Sequence, residues 1–271
     1  MKKVLVLLMC VMLLLTFVAC NSAGFMSASK VKRVVNEFGT PQAQVTISFT
    51  KNSRNFEYVI VYNLLLNKAP IAVINFIQLV EEDFYDGVIF DEYNSSYRYF
   101  VAGRYAYLPT TDDEGTETYN YYEKNSGRTF AGEFKSNKYS EPEGGYAQFS
   151  MFSLAMYHGG TADDFNSADG TLIFSTGATE SETSLQYTNY AVFAEMESLT
   201  VKIDGNAVGT YRKVNATYLS HFTDSTSKSS HKIIAADNTV KEGISIMSTN
   251  FVFSVEMMGD KDWSKLPKVS K

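Results

Sequence analysis

Residues 45–49 and 56–62 alternate side chains with a period of two, which places Val45, Ile47 and Phe49, then Phe56, Tyr58, Ile60 and Tyr62, on one face of an extended chain. A strand patterned this way cannot leave its apolar face in water. It needs a sheet that folds over a shared core. The polar residues Lys51, Asn52, Ser53, Arg54 and Asn55 supply the turn that pairs the two strands.

Further short strands are expected at residues 88–90, 99–101, 147–151, 172–175, 190–194 and 252–257. The span 204–240 is ambiguous, with room for a hairpin at Asp204-Gly205 and a Ser/Thr/Lys loop at 224–230. Pro70 suits the first turn of a helix expected to run to about Glu82, with Val73, Phe76, Ile77 and Val80 as its buried stripe. A smaller helix is expected over 29–38, ended by Gly39-Thr40-Pro41. Many short strands and one strong helix predict a mainly β fold, a barrel or sandwich whose closure hides strand edges. With 45% hydrophobic and 14% aromatic residues, the chain can bury such a core by packing alone.

It must do so without disulfides. Cys10 and Cys20 are its two cysteines; Cys10 lies in the N-terminal export signal and Cys20 directly follows it. Lys2 and Lys3 give that segment a basic start, residues 4–18 are almost wholly apolar, and Val18-Ala19-Cys20 closes it. The apolar run is short for a membrane span, which needs about 20 residues. The cysteine after a small residue resembles the lipobox of bacterial lipoproteins, with Phe17 where Leu is commoner. That resemblance implies removal of residues 1–19, lipid on Cys20, a tether over 20–44 and an extracytoplasmic location on a bacterial membrane. An ordinary signal peptide or a retained anchor helix is the alternative. The net charge of −6 argues against nucleic acid as a partner, since phosphates call for Lys/Arg stripes.

Metal signals are weak. His158, His221 and His231 lack ligand spacing, and the acidic run 163–170 places its glycine one position late for a calcium loop. No metal or other cofactor is expected. The tyrosines at 97, 99, 105, 107, 119, 121 and 122 read as strand packing first and as an interface second.

Lys68-Ala69-Pro70, Val73-Ile74-Asn75-Phe76 and Phe84-Tyr85-Asp86-Gly87-Val88-Ile89-Phe90 resemble, in order and spacing, the K-A-P-x-T-V-x-N-F and F-Y-D-G-x-x-F-H-R segments of the cyclophilins, a class of peptidyl-prolyl isomerases. Gly132-Glu133-Phe134, Phe149-Ser150-Met151, Asp169 to Phe174 and Tyr190 to Ala194 are similar to later family segments. The resemblance implies a closed eight-stranded antiparallel barrel capped by helices. Here it covers 45–260 with insertions near 104–128, 135–145, 152–168 and 204–240, followed by a polar tail at 261–271.

It also implies a site. In the family an Arg of F-H-R donates a hydrogen bond that loosens the prolyl amide, and a Gln of F-M-x-Q-G-G positions the peptide. Glu92 stands at the Arg position and reverses the charge. Ala102 stands at the Gln position if two inserted residues restore the glycine as Gly103, and Phe100 stands there without a gap. Tyr99, Phe100, Phe152, Phe174, Leu185 and Tyr190 fall on or beside the family's pocket positions. Arg98 and Arg104 are the cations that a register slip would bring into the groove. The expectation is an isomerase that is weak or inactive, binding proline-containing or extended segments of exported proteins. The alternatives are a non-catalytic scaffold on the same barrel and an unrelated solute-binding barrel.

Overall fold

The computed structural model describes residues 24–51, 53–94, 98–111, 117–158, 165–176, 190–213, 231–232 and 252–269. Cys20, the export signal and Leu185 lie outside these, as do the start of the acidic run and most of 214–250.

The alternation at the N-terminal end of the domain produces the longest ladder. Strands β1 (Gln42–Lys51) and β2 (Arg54–Leu64) pair antiparallel from Gln42↔Asn63 to Lys51↔Arg54. The turn between them is therefore tighter than the polar run suggested. Val45, Ile47, Tyr58, Ile60 and Tyr62 are all buried at its inner face. The other strands are β3 (Val88–Asn94), β4 (Tyr99–Thr111), β5 (Glu117–Glu123), β6 (Leu154–Met156), β7 (Leu172–Ser175), β8 (Ala191–Ile203), β9 (Asn206–Tyr211), β10 (His231–Lys232) and β11 (Val252–Met258).

One antiparallel sheet joins them in the order β10-β3-β4-β7-β6-β8-β2-β1-β11. Eight strands run from β3 round to β11, and the sheet curls so that these two meet. The Gly87 N–H, just before β3, donates to the Phe253 carbonyl at 3.0 Å, and the Phe90 ring meets the Phe253 ring edge-on at 4.8 Å. β5 extends β4 and β9 extends β8, so the first expected insertion contains an ordered hairpin, and Asp204-Gly205 turns a second one.

Helix α1 (Ala28–Phe38) ends at Gly39, whose φ of 69° a side chain would resist. Helix α2 (Pro70–Val80) packs against β8 and β11. The expected single stripe is too narrow a description, because every residue of α2 except Gln78 is buried. Its first turn is held by Glu133. The Ile71 and Ala72 N–H groups donate to Glu133 Oε2 at 2.8 and 3.0 Å, in place of a side chain at the N-cap.

Two expectations need correction. Residues 147–151 form no strand. Ser153 Oγ donates to the Ser150 carbonyl and accepts from its N–H, and Phe152 takes φ 63°, so the chain turns there and the strand begins at Leu154. The segment after Asp260 is not loose either. Trp263 stacks on Phe38 at 5.8 Å, Leu266 is buried, and Gln78 exchanges hydrogen bonds with the Pro267 carbonyl and the Val269 N–H. Aromatic area outweighs the polar composition of that stretch.

Candidate functional site

Directly paired residues in a ladder point to the same side of the sheet. The central strands therefore sort their side chains into two faces. Phe100↔Phe174↔Leu154 and Ala102↔Leu172↔Met156 point into the main core. Phe174 lies 5.1 Å from Phe152 and 5.4 Å from Phe90, ring to ring. Val101↔Ile173↔Ala155↔Val192 point the other way and form a second cluster with Tyr99, Ala147 and Phe149. Leu65, Tyr157 and Tyr190 lean on that cluster from its partly exposed side.

Two bulges bring charge to this outer face. In the β3–β4 ladder Phe90 pairs with Ala102 and Glu92 with Val101, which leaves Asp91 as the extra residue of β3. Between Val88, paired with Ala106, and Phe90, strand β4 sets residues 103–105 against Ile89 alone. Bulges bend a strand and re-aim the side chains beside them. Gly103 permits the second one. Its φ is 106°, and a Cβ there would stand 2.8 Å from the Gly170 carbonyl oxygen.

The result is a clamp on Arg104. Its Nε donates to Asp91 Oδ2 at 2.6 Å and its Nη2 to Glu92 Oε2 at 2.8 Å, and the guanidinium lies 5.5 Å from the centre of the Tyr157 ring. Asp91 is buried at 2% exposure, and its Oδ1 has no hydrogen-bond partner. Burial pushes its carboxyl up to about 6 against the opposing pull of Arg104. For Arg104, burial acts to lower the pKa, but the Asp91 and Glu92 carboxylates outweigh it and raise the net value. The hydroxyls of Tyr99 and Tyr157 are raised by burial first; next come the neighbouring Tyr190 and Tyr157 hydroxyls for Tyr99, and Glu92 for Tyr157, which Arg104 opposes.

The site residues expected from the sequence thus divide. Glu92, Tyr99 and Tyr190 share the outer face. Phe100, Ala102, Phe152 and Phe174 are interior, none more than 1% exposed. Leu185 lies outside the described residues. Of the two flagged arginines, Arg104 joins Glu92, while Arg98 is exposed and gives its backbone carbonyl to Thr176. Asp91, Tyr157, Phe149 and Ile173 were not expected. The unusual Asp-Glu pair after Phe90, with an arginine on the next strand, was the available hint.

Among the described residues no His, Cys, Asp or Glu cluster is arranged to hold a metal ion. A separate cleft of about 1200 Å³ lies between α1 and residues 136–143, lined by Phe25, Val31, Val35, Tyr139, Pro142 and Phe165 among others, and includes none of the outer-face residues.

No curated protein matches the chain. A cyclophilin-type peptidyl-prolyl cis-trans isomerase of Cryptosporidium parvum, crystallised in the presence of the dipeptide Ala-Pro, aligns at 16% identity and TM-score 0.33, covering 56% of this chain and 77% of its own. A cyclophilin from Hirschia baltica aligns at 13% identity and TM-score 0.32, covering 64% of this chain and 71% of its own. The family model described as cyclophilin type peptidyl-prolyl cis-trans isomerase/CLD matches residues 46–203, more than half of the chain. This chain therefore belongs to the cyclophilin-type peptidyl-prolyl isomerase family.

Proposed function

We propose that the protein is an extracytoplasmic cyclophilin-like lipoprotein, anchored through Cys20, that holds proline-bearing or extended segments of exported proteins and isomerises them weakly. Prolyl rotation must overcome a barrier of roughly 18–20 kcal/mol set by amide conjugation. A protein accelerates it only by binding the twisted amide better than the planar one. That needs a donor aimed at the amide as it loses conjugation.

One observation carries the weak-isomerase reading. Arg104 is the arginine beside Glu92, and its Nε and Nη2 already donate to Asp91 and Glu92. A substrate amide at this face would have to compete with two carboxylates for the guanidinium, and Ala102 in the interior offers no side-chain amide to position it. In other enzymes, loss of an aimed transition-state donor costs on the order of 10²–10³ in rate.

The test is a protease-coupled proline-peptide assay on the mature protein, run beside a binding measurement. Binding with a rate near background is expected. Glu92→Arg combined with Arg104→Ala and Asp91→Asn supplies a guanidinium from β3 with no carboxylate of the clamp left to hold it, and should raise the rate. Robust turnover by the wild type, unchanged in Arg104→Ala, would show that the chemistry lies elsewhere.

A further inference from the structure

Helix α1 precedes the stretch that matches the family model, 46–203, so one wall of the cleft beside residues 136–143 comes from outside the matched domain. The other wall is fixed in place. Lys68 Nζ donates to the carbonyls of Glu143 and Gly145 at 2.6 and 2.7 Å, and Asn137 Nδ2 donates to the Gly132 carbonyl at 2.9 Å. The Tyr146 hydroxyl donates to the Tyr139 carbonyl, and the Tyr139 ring meets that of Phe25, just before α1, at 5.1 Å. A site whose walls are held before anything binds loses less entropy when it is filled.

The lining suits a polypeptide. Val31, Val35, Pro142 and the rings of Phe25, Tyr139 and Phe165 offer apolar surface. Asn36 and Asn67 line it too, both exposed, and neither makes a side-chain hydrogen bond among the described residues. A side-chain amide both donates and accepts, which an extended main chain can use and a hydrocarbon chain cannot. At about 1200 Å³ the cleft is large enough to bury a whole drug-sized molecule, so it takes several residues rather than one side chain.

Aromatic rings join the cleft to the outer face. Phe165 meets His158 edge-on at 5.5 Å, and His158 stacks on Tyr190 of the outer cluster at 4.8 Å. Tyr190 and Phe165 therefore stand within about 10 Å of each other, and an extended chain rising about 3.3 Å per residue covers that in roughly three or four residues.

We infer that this cleft is a second docking site for the same polypeptide, taking an apolar segment about four residues from the one held at Tyr190. The inference rests on the peptide-binding reading above and deepens it. Two weak contacts made through one chain bind more tightly than either alone, provided the spacing lets both form.

The experiment measures fluorescence anisotropy of the mature protein with dye-labelled Gly/Ser peptides sharing an Ala-Pro centre. One is bare, and two carry Leu-Phe-Leu about four residues before or after the centre, the spacing set by the chain's rise. One of the extended peptides should bind roughly tenfold more tightly than the bare one, as burial of its apolar side chains dictates. The gain should disappear when the spacer is cut to about one residue, which cannot span the two sites. Val31 lines the cleft but is only partly buried and lies outside the main core. Val31→Glu should therefore lower the ratio of extended to bare affinity to about twofold or less, by placing a charge where apolar surface must dock, with a circular-dichroism melt to confirm folding. Asn67→Ala, at an exposed position, removes an amide instead and should also lower that ratio. Equal affinity for bare and extended peptides, a ratio that survives both variants, or a gain that persists at the short spacing overturns this inference alone. Failure of every peptide to bind overturns the peptide-binding reading and this inference with it.

Discussion

Asp91 is an ordinary surface residue type placed where water cannot reach it, and the consequence is thermodynamic. Its carboxyl sits near 3.8 in an unfolded chain and about 6 in the fold, with burial as the main cause and Arg104 opposing it. The folded state therefore binds more protons than the unfolded state between those values. Stability is full below about pH 4 as far as this group is concerned and is lost as pH rises through 6. Asp91→Asn should reduce the slope of urea-derived stability across that window, and an unchanged slope would place the burial cost on another group. Sequence reading reached Glu92 and Arg104 but not their contact. An arginine on a strand is most often solvent-facing, and only the bulges at Asp91 and at 103–105 turn this one onto its two acids.

Helix α2 shows how an element depends on a distant residue. The sequence marks its start through Pro70 and its apolar content, and both are seen. What satisfies the first-turn N–H groups is Glu133, from a loop some sixty residues downstream. Glu133→Ala would leave Ile71 and Ala72 as buried unpaired donors, at a cost of about 1–3 kcal/mol in urea unfolding at pH 6. Glu133→Gln should lose less, since its carbonyl still accepts. The carboxyl of Glu133 is pushed up to about 8 by burial, with the two backbone donors opposing. Its share of stability accordingly falls as pH rises from about 4.5 to 8. The loss of stability between pH 6 and 8 should thus vanish in Glu133→Gln but persist in Asp91→Asn, while between about pH 4.5 and 6 each variant should remove only its own share.

At the scale of the molecule, the barrel is joined at its two ends by Phe253 with Gly87 and Phe90, and the C-terminal Trp263 locks α1 to the body through Phe38. Helix α1 lies within the expected tether, 20–44, and ties it to the fold, so an anchor at Cys20 would hold the whole barrel close to a membrane. Cys20→Ala should move the protein from the membrane fraction to the soluble fraction of the cell envelope, and an unchanged distribution would point to a retained helix instead. The local signals of this chain were enough to place the β1–β2 hairpin, the start of α2, the turn at Asp86-Gly87 and the family segments around them. Each depends on neighbours within a few residues, where side-chain periodicity and backbone preference act directly. The two faces of the central strands, the interior placement of Phe100, Phe152 and Phe174, the docking of the polar tail and the clamp on Arg104 were decided only in three dimensions. Cross-strand register and bulges determine which side a residue faces, and a shift of one position exchanges core for surface without altering the local pattern.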